Sequence, residues 1–125
     1  RSAGVLTERF SALPALRVTR PHDHFRHSYY KYYVFLKPER LRDDWNRLQI
    51  IDAINAEGIP CYAGSCSEIY LERAFSEEMR PPKRLPVAKE LGETALMFLV
   101  HPTLSDLDMR DTADAVEKVL TCATR

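Results

Sequence analysis

Three histidines that lie close together are the first residues in this sequence that could do chemistry. His22, His24 and His27, with Asp23 among them, could bind a metal ion or supply a general base. The same residues follow Pro21 in a polar stretch, and a solvated loop accounts for them as well as a site would. We favour the loop.

A second polar cluster contains a possible nucleophile. Ser65, Cys66 and Ser67 are followed by Glu68, but a nucleophile needs an activating base within hydrogen-bond reach, and the neighbouring sequence supplies none. A turn with capping hydroxyls is the better explanation. Cys66 would attract interest only if its thiol were exposed and its pKa lowered.

The cysteines argue against a disulfide framework and against zinc. Cys61, Cys66 and Cys122 are an odd number in a chain long enough to fold without disulfides, which favours free thiols in a reducing compartment. No histidine lies near Cys61 and Cys66, so the ligand spacing of a zinc site is absent. We expect no metal.

Tyrosines are concentrated in one segment, where they could stack on a base or a sugar. If the segment is a strand, alternation places Tyr30 and Tyr32 on one face and Tyr29, Lys31 and Tyr33 on the other. Packing of the rings, with their hydroxyl groups at a polar boundary, already explains this pattern. We therefore favour core packing for these side chains.

Length and charge exclude several classes of protein. The chain has 125 residues, 45% of them apolar, which is enough for one core and one domain spanning residues 1–125. Lys plus Arg and Asp plus Glu number 18 each, so no net charge attracts nucleic acid or an anionic membrane. The longest apolar run is far shorter than the roughly 20 residues of a membrane span. We expect a soluble, cytoplasmic protein.

The elements that must position these residues alternate between helix and strand. Apolar spacing predicts a helix over residues 1–13, an extended piece over 16–19 and a strand over 28–36. A second helix, over 40–57, should bury Leu41, Trp45, Leu48, Ile51 and Ile54 and end at Gly58.

The second half of the chain continues the alternation. We predict a short strand over 59–62, a short helix over 67–75, a surface segment over 79–84 and a helix from Pro86 to Leu91 that Gly92 closes. A buried strand over 95–100 and a helix capped by Ser105 follow. The sum is an α+β fold, with a small, mostly antiparallel sheet covered by helices on one side.

The order of these elements and their punctuation resemble the small C-terminal domain of DegT/StrS-type sugar aminotransferases, a family of fold-type-I pyridoxal-phosphate enzymes. In that family a crossing helix leads to a strand of the form H-x-Y-x-x-Y/F, which matches His27, Tyr29 and Tyr32. A Gly-Ile-Pro turn follows, present at residues 58–60. An LPxAE-type helix, here LPVAKE, and an L-S-x-x-D helix start, here Leu104 to Asp108, complete the resemblance.

One loop departs from the family pattern. Where many members carry an aromatic-Pro pair and a histidine, this chain has CYAGSCSEIYLERAF, with Tyr70 at the position of the histidine. The resemblance places this loop at the sugar pocket. It implies that His27, Tyr29, Ser65, Cys66 and Tyr70 contribute to a substrate cleft of unusual specificity.

The resemblance implies that the whole protein is an aminotransferase that acts on a keto sugar linked to a nucleotide. Such an enzyme needs a Schiff-base lysine and a carboxylate for the cofactor. Each lysine here is better explained as a surface charge, so the cofactor-binding domain would lie upstream and this chain would have no catalytic residue. We expect a homodimeric parent and an inactive, possibly monomeric isolated domain that binds no pyridoxal phosphate. A related dehydratase, which lacks the Schiff-base lysine, fits these residues equally.

A self-contained α+β binding or regulatory module is the alternative from another class, with the strand tyrosines as a platform for a ligand. It predicts a start codon close to Arg1 and a polar outer surface. The aminotransferase hypothesis predicts that the first helix, which has no capping signal, continues upstream. It also predicts an apolar surface patch where the missing domain docks.

Overall fold

A computed structural model describes residues 2–125; Arg1, which the predicted first helix and the predicted domain include, lies outside the described residues. The described part forms four α-helices and one four-stranded sheet. The helices are α1 (Ser2–Ser11), α2 (Arg47–Ala56), α3 (Pro86–Thr94) and α4 (Asp106–Ala123). The strands are β1 (Leu16–Val18), β2 (Tyr32–Leu36), β3 (Cys61–Tyr62) and β4 (Ala95–Phe98).

All strand pairs are antiparallel, in the order β1-β2-β4-β3, so the predicted α+β fold is confirmed. Val34 faces Leu96 and Tyr32 faces Phe98, and these four residues share one face of the sheet. We call this the core face. Tyr33 and the other residues between them lie on the opposite face, which we call the second face.

The core face packs under α1, α2 and α4. These helices contribute apolar residues at helical spacing, so each buries one side against the sheet. Phe10 of α1 lies between two aromatic rings of the sheet, 5.5 Å from Phe98 and 6.1 Å from Tyr32. The largest fully buried side chains are Tyr32, Phe10, Phe98, Leu6, Ile50, Ile54, Leu96, Met109 and Leu120.

The last helix forms as the sequence predicts. Ser105 and Asp108 make a capping box, in which the Ser105 side chain accepts from the Asp108 amide and Asp108 accepts from the Ser105 amide. The Ser105 bonds hold the pKa of Asp108 below its ordinary value. The predicted buried strand at 95–100 is also confirmed over Ala95–Phe98.

Two predicted elements begin later than expected. The strand predicted from residue 28 starts at Tyr32, because the backbone at Tyr29 is left-handed (φ 48°) and cannot continue a strand. As a result Tyr30 is 86% exposed, so its predicted place beside Tyr32 in the core was wrong. The helix predicted from residue 40 starts at Arg47, because Asn46 forms a capping box with Gln49.

The later start of α2 changes which residues it buries. Leu48, predicted to be buried, is 63% exposed, and Ile50 is buried in its place. Leu41 lies outside the helix and pairs with Thr124 in an isolated antiparallel bridge. The C-terminus of the chain is thus tied to the segment that precedes α2.

The third correction concerns the segment before α3 and α3 itself. The helix predicted over 67–75 is only a 3-10 turn, Ile69–Leu71, because Glu68 is engaged by residues further along the chain. Gly92 lies inside α3 instead of ending it. In addition, α3 packs on the second face of the sheet, so the helices are not confined to one side.

No helix among residues 2–125 has the length and apolar character that would let it cross a membrane.

Candidate functional site

The second face of the sheet carries a row of side chains that α3 only partly covers. Arg17 of β1 lies with its guanidinium carbon 4.5 Å above the ring of Phe35. The same guanidinium is 3.5 Å from a carboxylate oxygen of Glu90 on α3. The pair links the edge strand to the helix that covers this face.

Between Tyr33 and α3 the second face opens into a cleft of about 680 Å³, which we call the tyrosine cleft. Its walls are mainly aromatic and aliphatic, with charged groups among them, a composition typical of small-molecule sites. The lining residues are Arg17, Thr19, Pro21, His27, Tyr29, Lys31, Tyr33, Phe35, Val87, Glu90 and Leu91.

His27 and Tyr29 form a turn at one end of the tyrosine cleft. The Tyr29 amide donates to Nδ1 of His27 at 3.0 Å, and their rings lie 4.2 Å apart. The Tyr29 ring also stacks on Tyr32 at 5.9 Å. The Tyr32 hydroxyl shares a 2.8 Å hydrogen bond with Thr7, and burial raises the pKa of Tyr32. This turn connects the cleft to the core.

Ser65 reaches the tyrosine cleft through Tyr33. Its amide donates to the Tyr33 hydroxyl at 3.2 Å, and the two hydroxyl groups lie 3.1 Å apart. Gly64 makes this contact possible, because a Cβ there would lie 2.6 Å from the Tyr33 ring, and its φ of +89° also favours glycine. The turn thus fixes the orientation of the Tyr33 ring.

Cys66 and Tyr70 do not line the tyrosine cleft. Cys66 lies in a neighbouring cavity of about 340 Å³, and its exposed thiol has a raised pKa, chiefly through a hydrogen bond with Glu72. A raised pKa disfavours the reactive thiolate. Cys61 is buried, which raises the pKa of its thiol to about 12.

Tyr70 belongs to a group of hydrogen bonds that we call the Glu68 latch. Its hydroxyl donates to Glu68 at 2.6 Å and accepts from the amide of Leu85 at 3.0 Å. Arg84 donates to both carboxylate oxygens of Glu68, one of them at 2.9 Å. These bonds, with Arg84 contributing most, lower the pKa of Glu68 to about 2. The latch ties the start of the 68–85 segment to its end.

The remaining histidines of the first loop stay outside the tyrosine cleft. His22 and His24 are exposed and stack at 5.6 Å. No group of three metal-ligating side chains comes together within the described residues. His22 and His24 therefore lie on an exposed loop beside the cleft.

A second cavity, of about 570 Å³, lies beside α4 and has acidic walls. Most of its carboxylates already have partners inside the domain. Glu57 binds Lys118 at 2.7 Å, Asp114 binds Arg9 at 2.7 Å, and Asp108 serves the helix cap. These carboxylates hold α1, α2 and α4 together and leave the tyrosine cleft as the better candidate site.

The comparisons with known proteins agree with this fold. The chain is 41% identical to the aminotransferase from Psychrobacter cryohalolentis over 98% of its own length and 33% of that chain, with a TM-score of 0.90. It is 22% identical to a DegT DnrJ EryC1 StrS aminotransferase from Brucella abortus, over 94% of this chain and 29% of the other, with a TM-score of 0.77. No protein-family model and no curated protein matches the chain.

A third solved structure is DesI in the presence of its TDP-sugar product, 21% identical, with a TM-score of 0.77 over 97% of this chain and 30% of DesI. The chain thus spans about a third of the length of the solved proteins that it matches. It has the fold of an aminotransferase domain. More specifically, the resemblance to the small C-terminal domain of the DegT/DnrJ/EryC1/StrS-type sugar aminotransferases is confirmed.

The sequence analysis found part of the site. It named His27 and Tyr29, which line the cleft, and Ser65, which supports Tyr33. It weighed Tyr33 as a residue that could stack on a ligand but favoured core packing, whereas Tyr33 lines the cleft and is only partly buried. It gave no role to Val87 and Leu91 of α3, although the four-residue spacing of that apolar pair was visible. Val87 and Leu91 reach the sheet residues of the cleft through tertiary packing, and a local sequence pattern does not predict such packing.

Proposed function

We propose that this chain is the substrate-side domain of a longer pyridoxal-phosphate-dependent aminotransferase that acts on a keto sugar linked to a nucleotide. The observation that carries the proposal is the 41% identity to an aminotransferase, which extends over 98% of this chain but only 33% of that enzyme. The structure of DesI in the presence of its TDP-sugar product supports a nucleotide-linked substrate. A homodimeric, cytoplasmic parent completes the proposal.

The lysine and the carboxylate of the tyrosine cleft are poorly placed for a cofactor. Pyridoxal phosphate supplies an electron sink to the reaction when a lysine and a carboxylate hold it. Lys31 is the lysine that lines the tyrosine cleft, but its ammonium lies 5.4 Å from the centre of the exposed Tyr30 ring. Glu90, the carboxylate of the same cleft, faces Arg17. We propose that the cofactor site belongs to the rest of the longer protein and that the isolated domain is inactive.

The tyrosine cleft is the part of the substrate site that this chain contributes. Aromatic and aliphatic walls suit the flat or apolar faces of a sugar and a base. Lys31 adds a positive charge that suits a phosphate group of a nucleotide-linked sugar, whereas the charge of Arg17 is offset by Glu90. The side chains bind and orient such a substrate and exclude water from one side of it.

Apolar residues exposed next to the cleft support docking of a further domain. Val87, which lines the cleft, is 65% exposed, and Leu85, at the N-cap of the same helix, is 48% exposed. Exposed apolar patches in soluble proteins commonly mark interfaces. We propose that the missing domain covers this patch and closes the open side of the tyrosine cleft.

The decisive experiment is to sequence the gene upstream of Arg1 and to assay the product of the whole reading frame. We expect a protein about three times as long as this chain, given the share of the relative that it spans, with a Schiff-base lysine upstream. The whole protein should transfer an amino group from glutamate to a nucleotide-linked keto sugar, and the 125-residue chain alone should not. A histidine in place of that lysine would indicate a dehydratase instead.

A matched pair of variants tests the role of the cleft in the whole protein. Lys31→Gln should raise the KM for the nucleotide sugar about tenfold, the effect of losing one charged hydrogen bond of about 1.4 kcal/mol. Lys83→Gln, in the exposed segment that the Glu68 latch closes, should leave it unchanged. A start codon directly before Arg1 would contradict the proposal and leave a small binding module.

A further inference from the structure

The turn that contains Tyr29 has an unusual backbone. Tyr29 adopts φ 48°, the left-handed region, which residues with large side chains rarely occupy. This conformation costs free energy, and it persists only where the surroundings hold it in place. What holds Tyr29 there therefore also controls where its ring lies.

Tyr29 is held by one hydrogen bond and two ring contacts. Its amide donates to Nδ1 of His27 at 3.0 Å. Its ring lies 4.2 Å from the ring of His27 and 5.9 Å from that of Tyr32. Tyr32 is fixed in the core, whereas His27 is exposed, so the hydrogen bond to His27 is the contact that solvent can change.

The turn separates two cavities. His27, Tyr29 and Pro21 line the tyrosine cleft on one side and, on the other, a cavity of about 580 Å³ against α1. A movement of the Tyr29 ring would therefore change the shape of the tyrosine cleft. The other charged and titratable groups that line these two cavities are Glu8, Arg17, Arg20, Lys31, Tyr33 and Glu90, and Tyr32 contacts the Tyr29 ring directly.

Protonation of the imidazole removes the acceptor on which this turn depends. Nδ1 accepts the amide proton only while it is unprotonated, and the contact thus assigns the tautomer with a proton on Nε2. An imidazolium has two donors and no acceptor, so its Nδ1 proton would oppose the Tyr29 amide. Histidine is the side chain that changes charge between about pH 5 and pH 8.

We propose that His27 is a positioning residue, which holds Tyr29 as a wall of the tyrosine cleft while its imidazole is neutral and releases it on protonation. The inference rests on the proposed function for its consequence, namely that the cleft binds its sugar substrate more weakly as the pH falls. His27 then acts through Tyr29 and not by contact with the substrate.

The turn is tested first in the 125-residue chain, by nuclear magnetic resonance from about pH 8 to about pH 5. The Tyr29 amide signal should titrate with the same midpoint as the His27 ring, and its hydrogen-exchange protection factor should fall roughly tenfold. An amide that does not respond to His27 titration would overturn the proposal. The amide of Val34 in the sheet reports that the domain stays folded.

Two substitutions separate the acceptor from the charge. In His27→Asn the side-chain Oδ1 atom can take the place of Nδ1 as the acceptor, and it does not titrate. The Tyr29 amide should therefore stay protected from hydrogen exchange across the whole pH range. In His27→Gln the amide group matches the position of Nε2, so the protection should be lost at every pH. His22→Asn, in the same loop, should behave as the unmodified chain. Equal behaviour of the Asn and Gln variants would overturn the proposal.

A kinetic measurement on the longer protein distinguishes this inference from the proposed function. The KM for the nucleotide sugar should rise at least about threefold between about pH 8 and about pH 6, with kcat unchanged, and the rise should vanish in His27→Asn. A KM that falls on acidification would overturn the positioning role in favour of direct charge contact. Absence of aminotransferase activity would contradict the proposed function, while the resonance experiment would still decide how the turn behaves.

Discussion

The face of the sheet that carries Val34 and Leu96 lies under three helices, whereas the face that carries Tyr33 and Phe35 is partly open. Val34 and Leu96 are fully buried in a cluster of apolar side chains, and the hydroxyl of Tyr32 in this cluster is bonded to Thr7. On the second face a cleft remains between the sheet and α3. The difference indicates that the core face determines stability, whereas the second face leaves room for the candidate site.

The two faces are also held in different ways. On the core side, α1 and α4 pack through apolar contacts, which Arg9 supplements with ion pairs to Asp114 and Glu117. On the second side, polar bonds restrain the loops, chiefly those of the Glu68 latch and those of Ser65 with Tyr33. Loops held by a few polar bonds are easier to alter without unfolding the protein.

The largest expected effect comes from exchanging one phenylalanine on each face for alanine. Phe98→Ala should lower the free energy of unfolding by about 3–5 kcal/mol, because the ring is fully buried against Phe10. Phe35→Ala, on the second face, should cost about 1 kcal/mol or less, since its ring borders the open cleft. Urea unfolding measures both values, and equal losses would contradict the contrast between the faces.

A smaller effect is expected where the backbone of the second side approaches a ring. Gly64→Ala should destabilise the domain by about 1–3 kcal/mol, because of its positive φ and the 2.6 Å approach of a Cβ to Tyr33. Gly4→Ala is the matched control: a Cβ there meets nothing within 4 Å in α1, so helix propensity should stabilise it by up to about 1 kcal/mol. Thermal unfolding compares the two, and an unchanged Gly64→Ala protein would show that Tyr33 is not held this closely.

Elements with local signals could be predicted from the sequence. Ser105 and Asp108 lie three residues apart and start α4, and the apolar run in β4 is buried as its composition predicts. The resemblance to the sugar aminotransferases likewise depended on short motifs in a fixed order. In these parts local preference and tertiary packing favour the same structure.

The parts that could not be predicted depend on partners distant in the sequence. Glu68 meets Arg84 sixteen residues later, and these bonds replace the helix expected there with a 3-10 turn. Tyr33 meets Ser65 across thirty-two residues. The left-handed Tyr29 contradicts the strand propensity of its own segment. These contacts lie on the second side of the sheet, where local sequence preference and tertiary packing favour different structures.

The smallest expected effect concerns the dependence of stability on pH, which separates the polar latch from the apolar core. The folded protein lowers the pKa of Glu68 to about 2 from an ordinary value of 4.5, so the ionised carboxylate stabilises the fold above about pH 4.5. This contribution is lost as the pH falls toward 2. Glu68→Gln should therefore lower the unfolding temperature at pH 7, and the difference from the unmodified protein should shrink on acidification. For Glu78→Gln, on an exposed turn, the plot of unfolding temperature against pH should run parallel to that of the unmodified protein. A constant difference for Glu68→Gln at all pH values would show that the latch acts through shape and not through charge.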